Sequence, residues 1–526
     1  MFLISSPCTA RTCGTGLICF AMRKWMLFFT MAFYSHTLFS QYYFNKLFDT
    51  PFPYVGAILR SIEAPDSGFI LMHTSFDVFK DTNAICIVKI NKYGDTVWKR
   101  SYGAVGTAHE QYEIIRTEDS CYVFCGGEWK NDTLNAFLFK INEQGDSLWM
   151  KTYNPGGYLC YFETVIETFD GGFLATGGYN KDKINGTSPS RQAYTIKTDK
   201  EGNVQWSLLY GDGYLNEAGI GLVETPDHGY LQSGYAGSPT SSDFYVYPQL
   251  IKIKNNGQIA WIKNYSDPDY YWFYTQIKRT LDGNYLISGG YANDEDVFPS
   301  DPYGNGGTLT KIDEDGNVLW FKRYGDEIYD AECYDFVELP DSSIVTIGFN
   351  HQPWEKSTLV KFNSQGTIIW KQQYLYNSEF ESNEALFEII HTKDNGFLMT
   401  GYAHNPELDT TGFSIGKGWI LKVDSLGCPM PLCVVATEEP GLPTLPAAFL
   451  EVFPNPTSGT VEVRWNPREG TGTLEVFNIN GTRLMLQQVA LQGGSNPLSL
   501  DGQPAGVYVV RLRTSSGSVT HKLIIE

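Results

Sequence analysis

The sequence has no recognisable catalytic signature. Its 526 residues contain no His-Glu-x-x-His and no phosphate-binding loop. Positive charge is scarce, with 39 Lys and Arg against 59 Asp and Glu and a formal net charge of −20. That balance argues against nucleic acid or an anionic membrane as partner. Long apolar runs are missing, and the middle of the chain has no extended stretch with helical apolar spacing. Histidine is sparse. His73, His109, His228, His351, His391, His404 and His521 make no metal-spaced pair and read as surface or turn residues. Asp294/Asp296 and Asp313/Asp315 are carboxylate pairs of a kind that can bind calcium, but no EF-hand ligand set surrounds them, and they read as a loop and a hairpin turn. No metal and no cofactor is expected.

What is present points to many short strands. Aromatics make up 15% of the chain and there are 52 Gly, a composition suited to strands joined by tight turns. One unit recurs seven times. It is Lys-x-[Asn/Asp]-x-x-Gly, then Trp four residues on, then Tyr four further. The Lys and Gly are Lys89/Gly94, Lys140/Gly145, Lys197/Gly202, Lys252/Gly257, Lys311/Gly316, Lys361/Gly366 and Lys422/Gly427, with Lys254 replacing Asn or Asp in the fourth copy. Six copies complete the pattern with Trp98, Trp149, Trp206, Trp261, Trp320 and Trp370. A period of roughly 50–60 residues is that of propeller repeats. Within a copy such as 161–211, alternating segments and Asx-Gly turns predict four antiparallel strands, which is one blade.

The seventh copy stops at Gly427 and breaks into CPMPLC, so it has no Trp strand. The missing strand is supplied by residues 42–49 (YYFNKLFD), where Phe44 takes the Trp place and Phe48 the Tyr place. The expectation is a seven-bladed β-propeller over 41–435, whose last blade is closed by the N-terminal strand and whose open sheet edges are thereby hidden. The Trp residues and Phe44 are expected to pack blade on blade. The repeated Lys is expected to lay its stem on apolar surface and its head on a neighbouring acid or an indole face, with a ladder of binding lysines as the alternative.

Residues 1–40 read as an export signal. Arg23 and Lys24 precede the apolar Trp25–Phe33 (WMLFFTMAF), which is short for a membrane span, and cleavage is expected near Ser40; Met22 is a candidate start. Export permits oxidation, and Cys428 and Cys433 are the expected pair among seven cysteines beyond residue 40, the odd number leaving at least one thiol free. Residues 436–448 are a Pro-rich acidic linker, and 449–526 predict a small β-sandwich with hairpin turns at Asn480-Gly481 and Ser516-Gly517.

Two resemblances follow from these residues. The Gly-to-Trp spacing over 42–427 resembles the tryptophan-docking motif of quinoprotein-type propellers, which implies blade packing; no cofactor is carried over. Phe453-Pro454-Asn455-Pro456 with Gly459, then Gly506-Val507-Tyr508, then Lys522, resembles the C-terminal sorting domain of type IX secretion cargo of Bacteroidetes. That resemblance implies passage through the type IX machinery, release of the domain by proteolysis, attachment to surface lipopolysaccharide, and a surface or extracellular address.

The run Tyr270-Tyr271-Trp272-Phe273-Tyr274 breaks the repeat symmetry. Part of it enters the next blade's first strand and is explained by packing. The functional reading makes Tyr270, Tyr271 and Trp272 a stacking surface for a glycan or a protein. Insertions at 180–192, 237–248 and 293–307 are further places for function. The reading chosen is a non-enzymatic binding or adhesion module. The alternatives are a glycan-active or other hydrolytic enzyme, with its site in the central mouth, and a structural role in a surface layer or in gliding adhesion.

Overall fold

The structure is a computed structural model that describes residues 42–48, 56–77, 82–103, 108–182, 191–211, 216–237, 246–265, 270–293, 306–325, 333–350, 356–376, 384–404, 416–429 and 450–525, less 468, 479–482, 505, 515 and 516. The expected signal (1–40), the linker and most of the three insertions lie outside them. Among the described residues the regular structure is all strand, apart from one short 3-10 turn at Leu491–Gly493.

Up to Val423 the strands make four-stranded antiparallel sheets, consistent with propeller architecture; the second and third are joined by one parallel bridge between Leu134 and Leu159. The first strands are Gly56–Glu63, Ala108–Arg116, Leu159–Glu167, Asn216–Glu224, Tyr270–Arg279, Asp335–Glu338 and Glu384–His391. Each touches the first strand of the following sheet, and the first strand of the seventh sheet touches that of the first.

The outer strand of the seventh sheet is Phe44–Phe48, which pairs antiparallel with Gly416–Val423. Its register repeats that of the other six. Lys89 lies opposite Trp98, Lys140 opposite Trp149, and Lys361 opposite Trp370, just as Lys422 lies opposite Phe44.

The repeated residues meet at the junctions between sheets. Each unit Gly has positive φ, from 76° to 82°, as its turn requires. The ring of the preceding sheet lies against that same Gly. A Cβ at Gly145 would come within 3.0 Å of Trp98, and one at Gly257 within 2.7 Å of Trp206. At Gly94 the ring is Phe44, 2.9 Å from such a Cβ. The unit tyrosines complete the contact: Tyr153, Tyr265 and Tyr374 donate to the carbonyls of Gly202, Gly316 and Gly427 at 2.8, 2.7 and 2.6 Å. Of the six tryptophans only Trp370 is fully buried; the others are half-buried.

Every repeated Lys pairs with the Asp of the hairpin turn between the first and second strands of its own sheet. The pairs are Lys89–Asp66, Lys140–Asp119, Lys197–Asp170, Lys252–Asp227, Lys311–Asp282, Lys361–Asp341 and Lys422–Asp394, at 2.5–3.9 Å. The ammonium is used inside the sheet, which disfavours a binding ladder.

A second rule links the sheets at the same level. The residue before that Asp offers its N–H to a Glu ending the next sheet's first strand: Glu118 to Glu167, Phe169 to Glu224, Leu281 to Glu338 and Lys393 to Glu63, at 2.7–2.9 Å. Where that residue is proline (Pro65, Pro226, Pro340), no N–H exists. The facing strand then ends in Arg116, Arg279 or His391 instead of Glu.

The C-terminal region is a sandwich. Leu450–Phe453, Thr460–Trp465 and Ser495–Ser499 form one sheet; Arg483–Ala490, Thr471–Asn478, Gly506–Thr514 and Gly517–Ile525 form the other. They enclose a core of Val463, Leu474, Val510, Leu512 and Leu523. Asn455 reaches across from the PNP turn, donating to the Lys522 carbonyl at 2.6 Å and accepting from Ile524 N at 2.9 Å. Tyr508 donates to the Pro504 carbonyl, and Gly459 takes φ 148°.

Candidate functional site

Where the first strands converge, charge gathers. Six of the seven first strands carry a register shift, among them Ile58/Arg60, Gln111/Glu113, Phe162/Thr164 and Leu386/Glu388. A bulge re-aims the side chain beside it, and here the residues at or in the bulges are Arg60, Glu113, Glu163 and Glu388. Arg60 Nε lies 3.5 Å from Glu113 Oε2. Burial works against the Arg60 guanidinium, but Glu113, Glu388, Asp335 and Glu163 overcome it and hold it firmly protonated. Lys278 joins from the fifth sheet, 2.6 Å from Asp335 Oδ1 and 2.6 Å from the Phe336 carbonyl.

Two of the acids are bonded by neighbouring groups of the protein. Glu388 Oε2 accepts from Ser61 Oγ at 2.8 Å and from Thr400 Oγ1 at 2.9 Å. Asp335 accepts from Phe336 N at 2.8 Å and from Ile389 N at 3.2 Å, besides Lys278. Burial pushes the Glu388 carboxyl up to about 7, Arg60 opposing and Asp335 and Glu113 adding to the rise. Glu113 is also raised by burial, with Arg60 as the main opposing influence. Arg60 and Lys278 thus face four acids, and burial among them favours a proton on Glu388. The arrangement can tie the sheets together electrostatically, and it can exchange a proton at neutral pH. No group of three or more His, Cys, Asp or Glu among the described residues is placed to hold a metal ion.

None of these six residues was singled out by the sequence. A signal was there. Aligned on the last residue of the first strand, the position three before it reads Arg60, Glu113, Thr164, Gly221, Gln276, Asp335 and Glu388, while the position one before is Ile or Val in every sheet but the fifth, where it is Lys278.

The residues expected to bind stand elsewhere. Tyr270, Tyr271 and Trp272 lie at the start of the fifth sheet's first strand, opposite Asn293, Ala292 and Tyr291. Their side chains are outside the described set. Six residues along one strand separate Trp272 from Lys278, about 20 Å at 3.3 Å per residue, so the aromatic run and the charged cluster sit at different ends.

His73 corrects the reading of the histidines as surface or turn residues. It is 3% exposed on the second strand of the first sheet, and burial, with Lys99 nearby, lowers its pKa to about 4. The strand places it inward, opposite Cys86, and the apolar surroundings keep it neutral. Cys428 is disulfide-bonded; Cys433 lies outside the described residues. Cys86, Cys121, Cys125, Cys160 and Cys333 are thiols that form no disulfide.

Comparison with known proteins identifies one part of the chain. Residues 451–526 match the secretion system C-terminal sorting domain, the assignment carried by the Pro454-Asn455-Pro456, Gly506–Tyr508 and Lys522 motifs. The protein is therefore handled by the type IX secretion machinery and exported to the cell surface or extracellular space. No curated protein matches the chain. Among solved structures, a protein of unknown function from Dyadobacter fermentans is similar at 11% identity, covering 60% of this chain and 95% of that one, with a TM-score of 0.39. A polysaccharide lyase described as an ulvan lyase is similar at 9% identity over 73% and 96%, TM-score 0.47. An α-L-arabinofuranosidase from Fusarium graminearum is similar at 11% over 62% and 97%, TM-score 0.39. Likenesses this distant carry no information about chemistry.

Proposed function

We propose that residues 41–435 form a closed seven-bladed β-propeller that binds a surface glycan or protein without transforming it, delivered by the sorting domain at 449–526. The observation that supports this reading is that the central acids are turned on the protein itself: Glu388 Oε2 accepts from Ser61 and Thr400, and Asp335 from Lys278 and two backbone N–H groups. A catalytic carboxylate must keep a lone pair or a proton free for its substrate. Binding then belongs to the loop ends and to the Tyr270–Trp272 segment. In this reading the N-terminal 40 residues are a cleaved signal, Cys428 pairs with Cys433, the sorting domain is cut off after export, and lipopolysaccharide is the anchor. The test is a glycan-array and surface-binding screen of the secreted protein against Tyr271→Ala/Trp272→Ala. Binding that the double variant loses while keeping its melting temperature supports the reading; a double variant that binds as before removes the aromatic segment from it.

A second reading, a hydrolytic enzyme, is favoured by one observation, the Glu388 carboxyl near 7 beside Glu113 and Asp335. It requires that Glu388→Gln abolish a glycan-cleaving activity of the wild-type protein.

A further inference from the structure

The four-stranded sheet of the sorting domain has two faces, and both are covered. One packs on the three-stranded sheet through Tyr508, Val510, Leu512 and Leu523. In a free-standing sandwich the other face meets water and reads polar. Here it carries Val509, Lys522 and Glu475, all buried, with Phe477 and Val507 half-buried. Val509, Phe477 and Val507 belong to the hydrophobic cluster of the sixth and seventh propeller sheets, with Trp370, Tyr374, Trp419, Leu426 and Cys428.

Lys522 stands opposite Val509 on this face. Its ammonium reaches Asp424 Oδ2 at 2.9 Å, and the two side chains are 3% and 2% exposed. Asp424 opens the seventh unit turn, and its other oxygen accepts from Leu426 N and Cys428 N at 2.9 and 2.8 Å. The corresponding residues of the other turns, such as Asn91, Asp199 and Asn363, are not buried.

We propose that the sorting domain is latched onto the seventh sheet by the Lys522–Asp424 pair and the apolar patch around it, so that the exported chain has a closed state in which Lys522 and its face are unavailable to any partner until the latch opens. The tether does not force this arrangement. Residues 430–449 separate the two parts, and twenty residues of extended chain reach about 70 Å, so the contact itself must hold the domain. Breaking a buried pair leaves one charge without a partner in a dry site. For Lys522 the simplest relief is undocking, which returns the ammonium to water without unfolding either part.

The test labels lysines of the full-length protein with an amine-reactive reagent and reads each site by mass spectrometry, with the exposed Lys200 as internal reference. Wild-type Lys522 should label at least ten-fold more slowly than Lys200. In Asp424→Asn, which keeps an Asx-type turn as Asn91 and Asn363 do, Lys522 should approach the Lys200 rate. Hydrogen exchange should rise in 506–525 and stay unchanged in the first five sheets. Asp424→Asn/Lys522→Met, with no charge to bury, should restore protection of 506–525. Rapid labelling of wild-type Lys522 overturns the proposal. So does an Asp424→Asn protein in which Lys522 stays protected, or one in which protection is lost throughout the propeller, since the pair would then serve folding rather than docking.

Discussion

Six junctions between sheets are made by consecutive stretches of chain, and one is made by chain ends more than 300 residues apart. The six are alike: a half-buried or buried Trp over a Gly turn, and a Lys whose Asp partner is partly open to water, with side-chain exposures from 32% to 58%. In the seventh sheet Phe44 replaces Trp, and the Lys422–Asp394 pair is buried on both sides, at 2% and 9%. More polar contacts surround it. Tyr42 N donates to Asp394 Oδ2 at 3.1 Å, Trp419 Nε1 to Asn45 Oδ1 at 2.6 Å, Ser61 to Glu388, and Lys393 N to Glu63. Burial, with Asp424 and Asp394 beside it, raises the Tyr43 hydroxyl. A junction without chain continuity is held by the ladder of Phe44–Phe48 and by these polar contacts, and its Lys–Asp pair is drier than those of the other six.

The comparison can be broken most severely by removing the strand itself. Deleting residues 41–50 exposes the edge of Gly416–Val423 in the seventh sheet and uncovers the Gly94 turn of the first; a fall in melting temperature of ten degrees or more, with aggregation by light scattering, is expected. An unchanged melting temperature would sink the account of the seam. The next largest effect is Lys422→Met, which leaves Asp394 buried and unpaired, at about 3–5 kcal/mol in denaturant unfolding. Lys89→Met, whose Asp66 stays hydrated, should change stability by only about 0–1 kcal/mol. Equal losses in the two variants would erase the distinction. Trp370→Ala should cost about 3–5 kcal/mol, and the half-buried Trp98→Ala distinctly less.

The smallest effects are in pH. Desolvation opposes ionisation of Asp119 and Asp227, but the paired lysines and turn hydrogen bonds outweigh it and lower both to about 2. A depressed carboxylate stabilises the folded state above its unfolded pKa of about 4. That support should therefore fade between about pH 4 and pH 2, with Lys140→Met and Lys252→Met flattening the decline. Glu388 has the opposite sign. Its carboxyl is raised, so its contribution is complete below about pH 4.5 and lost as pH rises through about 7. Glu388→Gln should abolish that loss of stability between pH 5 and 8.

Much of this could be read along the chain because repetition exposes it. Seven Lys/Gly pairs, six tryptophans and a Phe44 at the far terminus are enough to assign the strands and to match Phe44–Phe48 with the copy that lacks its own fourth strand. The pairing of each Lys with its turn Asp was half legible, since an acid or an indole was equally open until the turn was seen to curl back over the third strand. The central cluster was hidden because Arg60 and Glu388 are 328 positions apart, and a single charge in each copy looks like a solvated strand residue. His73 was hidden because alternation in a strand covered on both faces no longer tells inside from outside.

The sequence alone determined the repeat, its strand pattern, the composite last sheet and the export address, because each is carried by local spacing that short-range turn chemistry and motif order make recognisable. Tertiary structure decided which charges meet: Arg60 with acids from other sheets, and Lys522 with Asp424. Burial and distance are properties of the packed chain, and residues far apart in order become neighbours only when the sheets pack on one another.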